Sequence, residues 1–348
     1  MSTITLPGLI DIHVHLRTPG QEEKEDFTTG TEAAVAGVFT TVFDMPNNKV
    51  PITTPERLEE KIGLARGKIF SDIGFYFGSL GDNLDEFEKV APKVYGLKLY
   101  LNETTGNFLI STAKLQEIFE AWKVTGKPIL VHAEDDAVAA VIENVRKTGQ
   151  QAHFCHISLK SDLEQIMKAK EEGLPVTCGI TPHHLFLTQE DAAKLGPYGR
   201  MKPFLKSPED VKFLWEHIDQ IDVVESDHAP HTKAEKDSDT PPFGVPGLET
   251  TLPLLLTAVD EGKLTVEDVK RLCHDNPLKI LHLESQDTGE IEILNTEYSI
   301  LNTGLFTKCG WTPFADRRVV GKVNKVTLHN SVVFEDGKFI SEPKGQIL

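Results

Sequence analysis

The chain has 348 residues, 39% hydrophobic and 26% charged, enough for one large α/β domain or two ordinary ones. No apolar run reaches the roughly 18 residues of a membrane span, and MSTITLPGLIDIHVH has the character of neither a secretory signal nor a transit peptide, so a cytoplasmic protein is expected. With 36 basic against 53 acidic residues the formal charge is −17, which disfavours nucleic-acid and anionic-membrane partners, and four cysteines without paired spacing read as reduced thiols.

From Leu9 onward, short β-branched runs alternate with amphipathic stretches. The predicted strands are GLIDIHVHL (8–16), FTTVFDM (39–45), SDIGFYF (71–77), GLKLYL (96–101), KPILVHA (127–133), AHFCHIS (152–158), LPVTCGI (174–180) and IDVVESD (221–227). Helical patterns lie between them at 54–67, 112–126 and 160–173. Thr54-Pro55 supplies a cap and a proline at the first helical position, and Gly126 and Gly173 stand where helices stop. Strands and helices alternating eight times predict a (β/α)₈ barrel over residues 1–283. The stretches 181–207 and 228–248 read as long structureless loops; both follow a strand, which puts them on the barrel's C-terminal face. After 283 the pattern changes to short alternating strands, predicting a small β appendage over 284–348. No internal repeat or low-complexity segment is present.

Residues two apart in a strand share a face, so Asp11, His13 and His15 point one way and Ile10, Ile12 and Val14 the other. His132, His156 and Asp227 each end a predicted strand, and Lys98 sits inside an apolar one. A barrel gathers strand ends into a ring. That many polar groups in a core call for a strongly charged partner, and imidazole with carboxylate suits zinc. The lysine cannot ligate a cation as an ammonium. As a free amine it can add CO₂, and the resulting carbamate would bridge two metals. His153 and Cys155 fall on the face opposite His156 by strand parity and read as packing.

The motifs HVHLR, DMPN (44–47), GLKLYLNET (96–104), HAE (132–134), CHIS (155–158), TPHHLFL (181–187) and SDHAPHT (226–232) resemble the amidohydrolase superfamily, specifically the dihydroorotases. FGVPGLETTLPLLLTAV (243–259) and WTPF (311–314) look most like the dihydroorotase domains of the eukaryotic multifunctional pyrimidine-biosynthesis polypeptides. The resemblance covers nearly the whole chain. It implies two Zn²⁺, one held by His13, His15 and Asp227 and the other by His132 and His156, with carboxylated Lys98 between them. It implies reversible cyclisation of N-carbamoyl-L-aspartate to L-dihydroorotate, with Asp227 moving the proton. Arg17, Asn47 and His231 match substrate-carboxylate positions, and Thr104, Thr105 and Lys202 further substrate-contact positions. A homodimer, or a place in a multienzyme polypeptide, is expected.

Some positions depart from that pattern. Thr105 stands where the eukaryotic domains carry an aromatic in the loop NETTGNF (102–108), and Lys202 stands where Arg or Asn is expected. Gly179 replaces a glutamate of the animal enzymes, so any role of that acid is expected to be missing. His183 and His184 read as structural or supporting, and His228 as orienting Asp227. A dihydropyrimidinase (hydantoinase) or allantoinase would share the metal centre without needing Arg17, and an inactive scaffold would lack stoichiometric zinc.

Overall fold

The computed structural model describes residues 3–103, 108–283 and 287–348. After β1 (Thr3–Pro7) come β2 (Leu9–Val14), β3 (Phe39–Asp44), β4 (Asp72–Phe75), β5 (Phe77–Gly78) and β6 (Leu97–Tyr100). They are followed by β7 (Ile129–His132), β8 (Ala152–Phe154), β9 (Val176–Ile180) and β10 (Val223–Val224). All pairings among β2–β10 are parallel, in the orders β2-β3-β4 and β5-β6-β7-β8-β9-β10. β4 and β5 are one stave interrupted at Tyr76. The other seam closes where Val14 bridges His228 and the His15 N–H donates to the His228 carbonyl at 2.8 Å. The result is the predicted eight-stave barrel, each stave within a few residues of its predicted run.

Local chemistry sets the helix boundaries. The Pro55–Ala65 helix starts with the Thr54 hydroxyl accepting from Arg57 N, and Pro55 needs no partner there. Phe27–Ala36 and Pro208–Glu216 begin in capping boxes built on Asp26 and Ser207. Gly126 and Gly173, at φ +68° and +76°, end their helices in the left-handed region that favours glycine. The stretch 181–207 is more ordered than its composition implied. It holds the Pro182–Phe186 and Gln189–Leu195 helices, started by Thr181 and Thr188 caps.

The appendage is an antiparallel sheet in the order β1-β11-β12-β13-β14, with β11 Glu290–Ser299, β12 Arg318–Leu328, β13 Ser331–Glu335 and β14 Lys338–Phe339. Its first strand comes from the other end of the chain: Leu6 sits opposite Ile291 in β11. The last residues return to the barrel, with Leu348 N–H donating to the Ile73 carbonyl at 3.0 Å. The small sheet is thus assembled from both ends of the sequence, not from the C-terminal segment alone. Among the described residues no helix is long and apolar enough to cross a membrane.

Glu249, in the first turn of the Leu248–Asp260 helix, accepts N–H bonds from Phe306 and Thr307 at 2.9 and 3.0 Å and ties that segment to the barrel. Burial raises its carboxyl from 4.5 to about 7, although both bonds favour the charged form. The folded state therefore holds this proton more tightly than the unfolded chain. The associated stabilisation is complete below about 4.5 and is lost as pH rises through about 7. Urea midpoints of Glu249→Gln should accordingly move in the variant's favour relative to wild type as pH rises across that window; a constant difference would show that the proton is not held there.

Candidate active site

β2 delivers the first two imidazoles. Ile10, Ile12 and Val14 pack in the core with no exposure, and the alternating His13 and His15 turn toward the cavity at the strand ends. Both meet Asp227, whose Oδ1 lies 3.4 Å from His13 Nε2 and 3.1 Å from His15 Nε2. His132 ends β7, and its Nδ1 is 2.9 Å from His156 Nε2. Lys98 is wholly buried on β6, its Nζ donating to Cys155 Sγ at 3.1 Å. All six positions converge at one end of the barrel.

Backbone geometry contributes as much as strand position. Arg17, His156 and Asp227 have φ of +62°, +39° and +43°, a region side-chain-bearing residues rarely adopt. This overturns the parity reading of the eighth-residue cluster around His156. β8 ends at Phe154, and the turn at His156 re-aims its ring, so Cys155 and His153 also face the barrel interior. They are partners of the site's lower layer, not outward packing.

Electrostatics prepare the imidazoles to act as ligands. Burial, then nearby Lys98, lowers His13 to about 4. Burial holds His15, His132 and His156 well below the usual histidine value, with Arg17, Lys98 and His132 respectively as the next cause. Asp227 is raised to about 6 by burial, against the pull of His13 and Lys98. His132 Nε2 and His156 Nδ1 are buried without a hydrogen-bond partner among the described residues. Neutral nitrogens left unsatisfied beside a carboxylate are a donor set suited to a metal ion. The ligand atoms of His13, His15 and Asp227 lie within 4.8 Å of one another, as do those of a second trio, His13, Cys155 and Glu225.

The expected substrate contacts are distributed unevenly. Arg17 and Lys202 line the cavity beside the histidines. Arg17 is 5% exposed, donates from Nε to the Pro230 carbonyl at 3.1 Å, and has no carboxylate within salt-bridge reach among the described residues. Lys202 Nζ lies over the Phe204 and Phe243 rings, at 4.1 and 5.3 Å. Asn47 lines the cavity too, but its Oδ1 accepts from His15 Nδ1 at 2.7 Å and fixes that ring's tautomer. His231 is fully buried behind Arg17, its Nε2 donating to the Phe243 carbonyl at 2.9 Å. It supports the guanidinium from behind and does not form part of the described cavity wall. Thr104 and Thr105 lie outside the described residues. His184 bonds Thr181 and the Pro203 carbonyl, a structural role. His228 is held by Glu25 at 3.3 Å and by Gly247 N–H, and so fixes the backbone beside Asp227.

Sequence reasoning missed Glu225. Its Oε2 lies 3.4 Å from His13 Nδ1 and its Oε1 accepts from the backbone N–H of His156 at 2.5 Å, which braces one imidazole and the turn that carries another. It also lies against Gly179, where the sequence lacks an acid. A Cβ on Gly179 would come within 2.7 Å of Glu225 Oε1, so the carboxylate of the neighbouring stave occupies that space. The period-two rule would have found it, since Glu225 stands two before Asp227 as Asp11 stands two before His13. The pair Asp44–Lys61, 2.8 Å apart and almost wholly buried, was missed as well; Lys61 also donates to the Met45 carbonyl and Asn48 Oδ1 and sets the loop that carries Asn47.

Residues 4–244 match the model of the amidohydrolase family. The chain is 43% identical over 98% of its length to the multifunctional protein CAD of Squalus acanthias, of which it spans only 15%. It is 36% identical to the dihydroorotase of Pyrococcus furiosus, covering 99% of this chain and 84% of that one. Among solved structures, an L-hydantoinase (dihydropyrimidinase) from Arthrobacter aurescens superposes with a TM-score of 0.95 at 25% identity, covering 99% and 88% of the two chains. An inactive dihydroorotase-like domain of the CAD-like multifunctional protein of Chaetomium thermophilum gives a TM-score of 0.86 at 30% identity, with all of both chains covered.

Glu225 offers a direct check on the donor set. Carboxylates that brace a ligand histidine typically change metal affinity by about 10–100-fold when removed. Glu225→Gln is expected to lose divalent metal at chelator concentrations lower by that factor, measured as metal content after dialysis. Equal retention would reduce Glu225 to a packing role.

Proposed function

The chain belongs to the amidohydrolase family and, within it, to the dihydroorotases, and on that premise we propose that it catalyses the reversible cyclisation of N-carbamoyl-L-aspartate to L-dihydroorotate. The observation that carries the reading is Arg17: a buried guanidinium on the cavity wall, beside the histidines, with no carboxylate within salt-bridge distance among the described residues. A buried cation without a counter-ion is unfavourable unless an anion arrives. Its planar fork matches a carboxylate. Dihydroorotate and its open form present one; dihydrouracil, hydantoin and allantoin do not.

His13, His15 and Asp227 would hold one zinc ion, His132 and His156 a second, and Lys98 as its carbamate would join them. When bound, the metals supply Lewis acidity and bring the pKa of water toward neutrality. The remaining work falls to the chain. Arg17 orients the ring through its carboxylate, with the Pro230 carbonyl accepting from Nε and holding the guanidinium in place. Asn47 and Glu225 keep His15 and His13 aimed. Asp227, on the cavity wall beside His13 and His15, can take a proton from water and return it to the departing ring nitrogen. In the direction of synthesis it takes the ureido proton as the nitrogen closes on the side-chain carboxyl, and returns it to the carboxyl oxygen that leaves as water when the C–O bond breaks. This step belongs to pyrimidine biosynthesis, and the likeness to CAD supports a setting within a larger multienzyme polypeptide.

Two other readings have a relative behind them. The hydantoinase structure shares the fold, and the inactive dihydroorotase-like domain shows that relatives of this kind exist without activity. Against the first stands Arg17; against the second, a donor set complete at all six positions. The test is a ring-opening assay on L-dihydroorotate, dihydrouracil, hydantoin and allantoin, with zinc measured on the same sample. Turnover of dihydroorotate alone is expected, with kcat/KM lowered about 100-fold or more in Arg17→Ala, since truncating one partner of a buried charge pair removes about 2–5 kcal/mol. Turnover of an uncharged ring would point to the hydantoinase activity, and absence of both zinc and turnover to the scaffold.

A further inference from the structure

Tyr100 closes β6, two residues past Lys98 and opposite His132 in the β6–β7 register. It is 3% exposed and lines the same cavity as Arg17, His132 and Asp227. Its ring is held between Phe108 and His132, with centroids 5.5 and 6.1 Å away, and Lys98 Nζ sits over it at 4.9 Å. The hydroxyl differs from the ring: it is buried and has no hydrogen-bond partner among the described residues. Tyr76, equally buried at the break between β4 and β5, donates to the Ile12 carbonyl at 2.9 Å. Among the described residues one interior phenol is thus satisfied and the other, at the wall of the reaction cavity, is not. Buried hydroxyls are normally paired, and an orphan of this kind calls for a partner that arrives later. A phenol at ordinary pH carries its proton and can donate it to a hydrogen bond.

From this juxtaposition we infer that Tyr100 is a further catalytic residue, its hydroxyl donating a hydrogen bond to the oxygen of the carbonyl under attack. The inference rests on the cyclic-amide reading above. Position selects the carbonyl over the carboxylate. Arg17 follows β2 and Asn47 follows β3, whereas Tyr100 stands three staves round the barrel from β2 and next to the stave of His132. A ring gripped at Arg17 extends its reacting carbonyl toward that wall. In the ring-opening direction, water gives a proton to Asp227 and its oxygen bonds to the carbonyl carbon. The π pair moves onto the carbonyl oxygen, where Tyr100 meets the growing charge and keeps its own proton. On collapse the C–N pair leaves with nitrogen, which takes the proton from Asp227. A donor fixed in a dry site before charge develops is the arrangement that favours the transition state over bound substrate.

The variant Tyr100→Phe removes the hydroxyl and keeps the ring. On L-dihydroorotate, kcat is expected to fall about 100-fold, the loss typical of one oxyanion donor, with KM within about twofold. Zinc content should stay the same, and Tm should be unchanged or higher, because the variant takes an unsatisfied polar group out of the interior. An unchanged kcat overturns the assignment. So does a raised KM at constant kcat, which would put the hydroxyl on the carboxylate. A joint fall in kcat, zinc and Tm overturns it too, since that marks a structural prop. A wild type that opens no cyclic amide is seen before any variant is made; it sinks the proposed function and this assignment with it.

Discussion

Desolvation is the constraint on which the rest of the structure depends. Four imidazoles, a lysine, an arginine and several carboxylates are drawn into the mouth of an apolar barrel, where each would be unfavourable alone. The chain answers with layers. The cavity-facing groups rest on Glu225, Asn47 and His231, and these rest on backbone groups or on pairs such as Asp44–Lys61. The same burial that has to be offset favours the neutral histidines and raises the Asp227 carboxyl. Stability and reactivity therefore draw on one physical effect.

The closure of the barrel shows how closely the two are joined. The seam between β2 and the segment after β10 is made by His15 and His228, one a cavity histidine and the other the neighbour of Asp227. His228 reaches outward to Glu25, which also accepts from Lys308 N–H, so the segment leading to Trp311 is anchored to the seam. Trp311 in turn donates to the His231 carbonyl at 2.7 Å. The segment from Thr307 to Trp311 thus braces both the seam and the support behind Arg17, and none of its residues lines the cavity.

Much of this was legible in the sequence because barrel strands are short and strongly patterned. Alternating apolar residues and histidines in 10–15 specified the stave, but a bulge between Asp11 and Val14 interrupts the alternation, and Ile10 and Ile12 pack with Leu130, Cys155 and Val223. The failures share one cause. Period-two logic holds only while the strand lasts, and β8 ends before His156, where a positive φ breaks the count. That is why Cys155 and His153 were assigned to the wrong side. β1 was hidden because its partner β11 lies nearly three hundred residues away, and nothing local announces such a pairing. His231 matched a motif by spacing, but only packing decides whether a side chain reaches the cavity or stands behind another.

Gly179 and Glu225 meet across the β9–β10 pair. A Cβ at 179 would come within 2.7 Å of Glu225 Oε1, so a side chain there would have to push aside the carboxylate that stands beside His13 Nδ1. The effect of a substitution at either position therefore depends on the residue at the other, and a change at 179 is felt at His13 through Glu225.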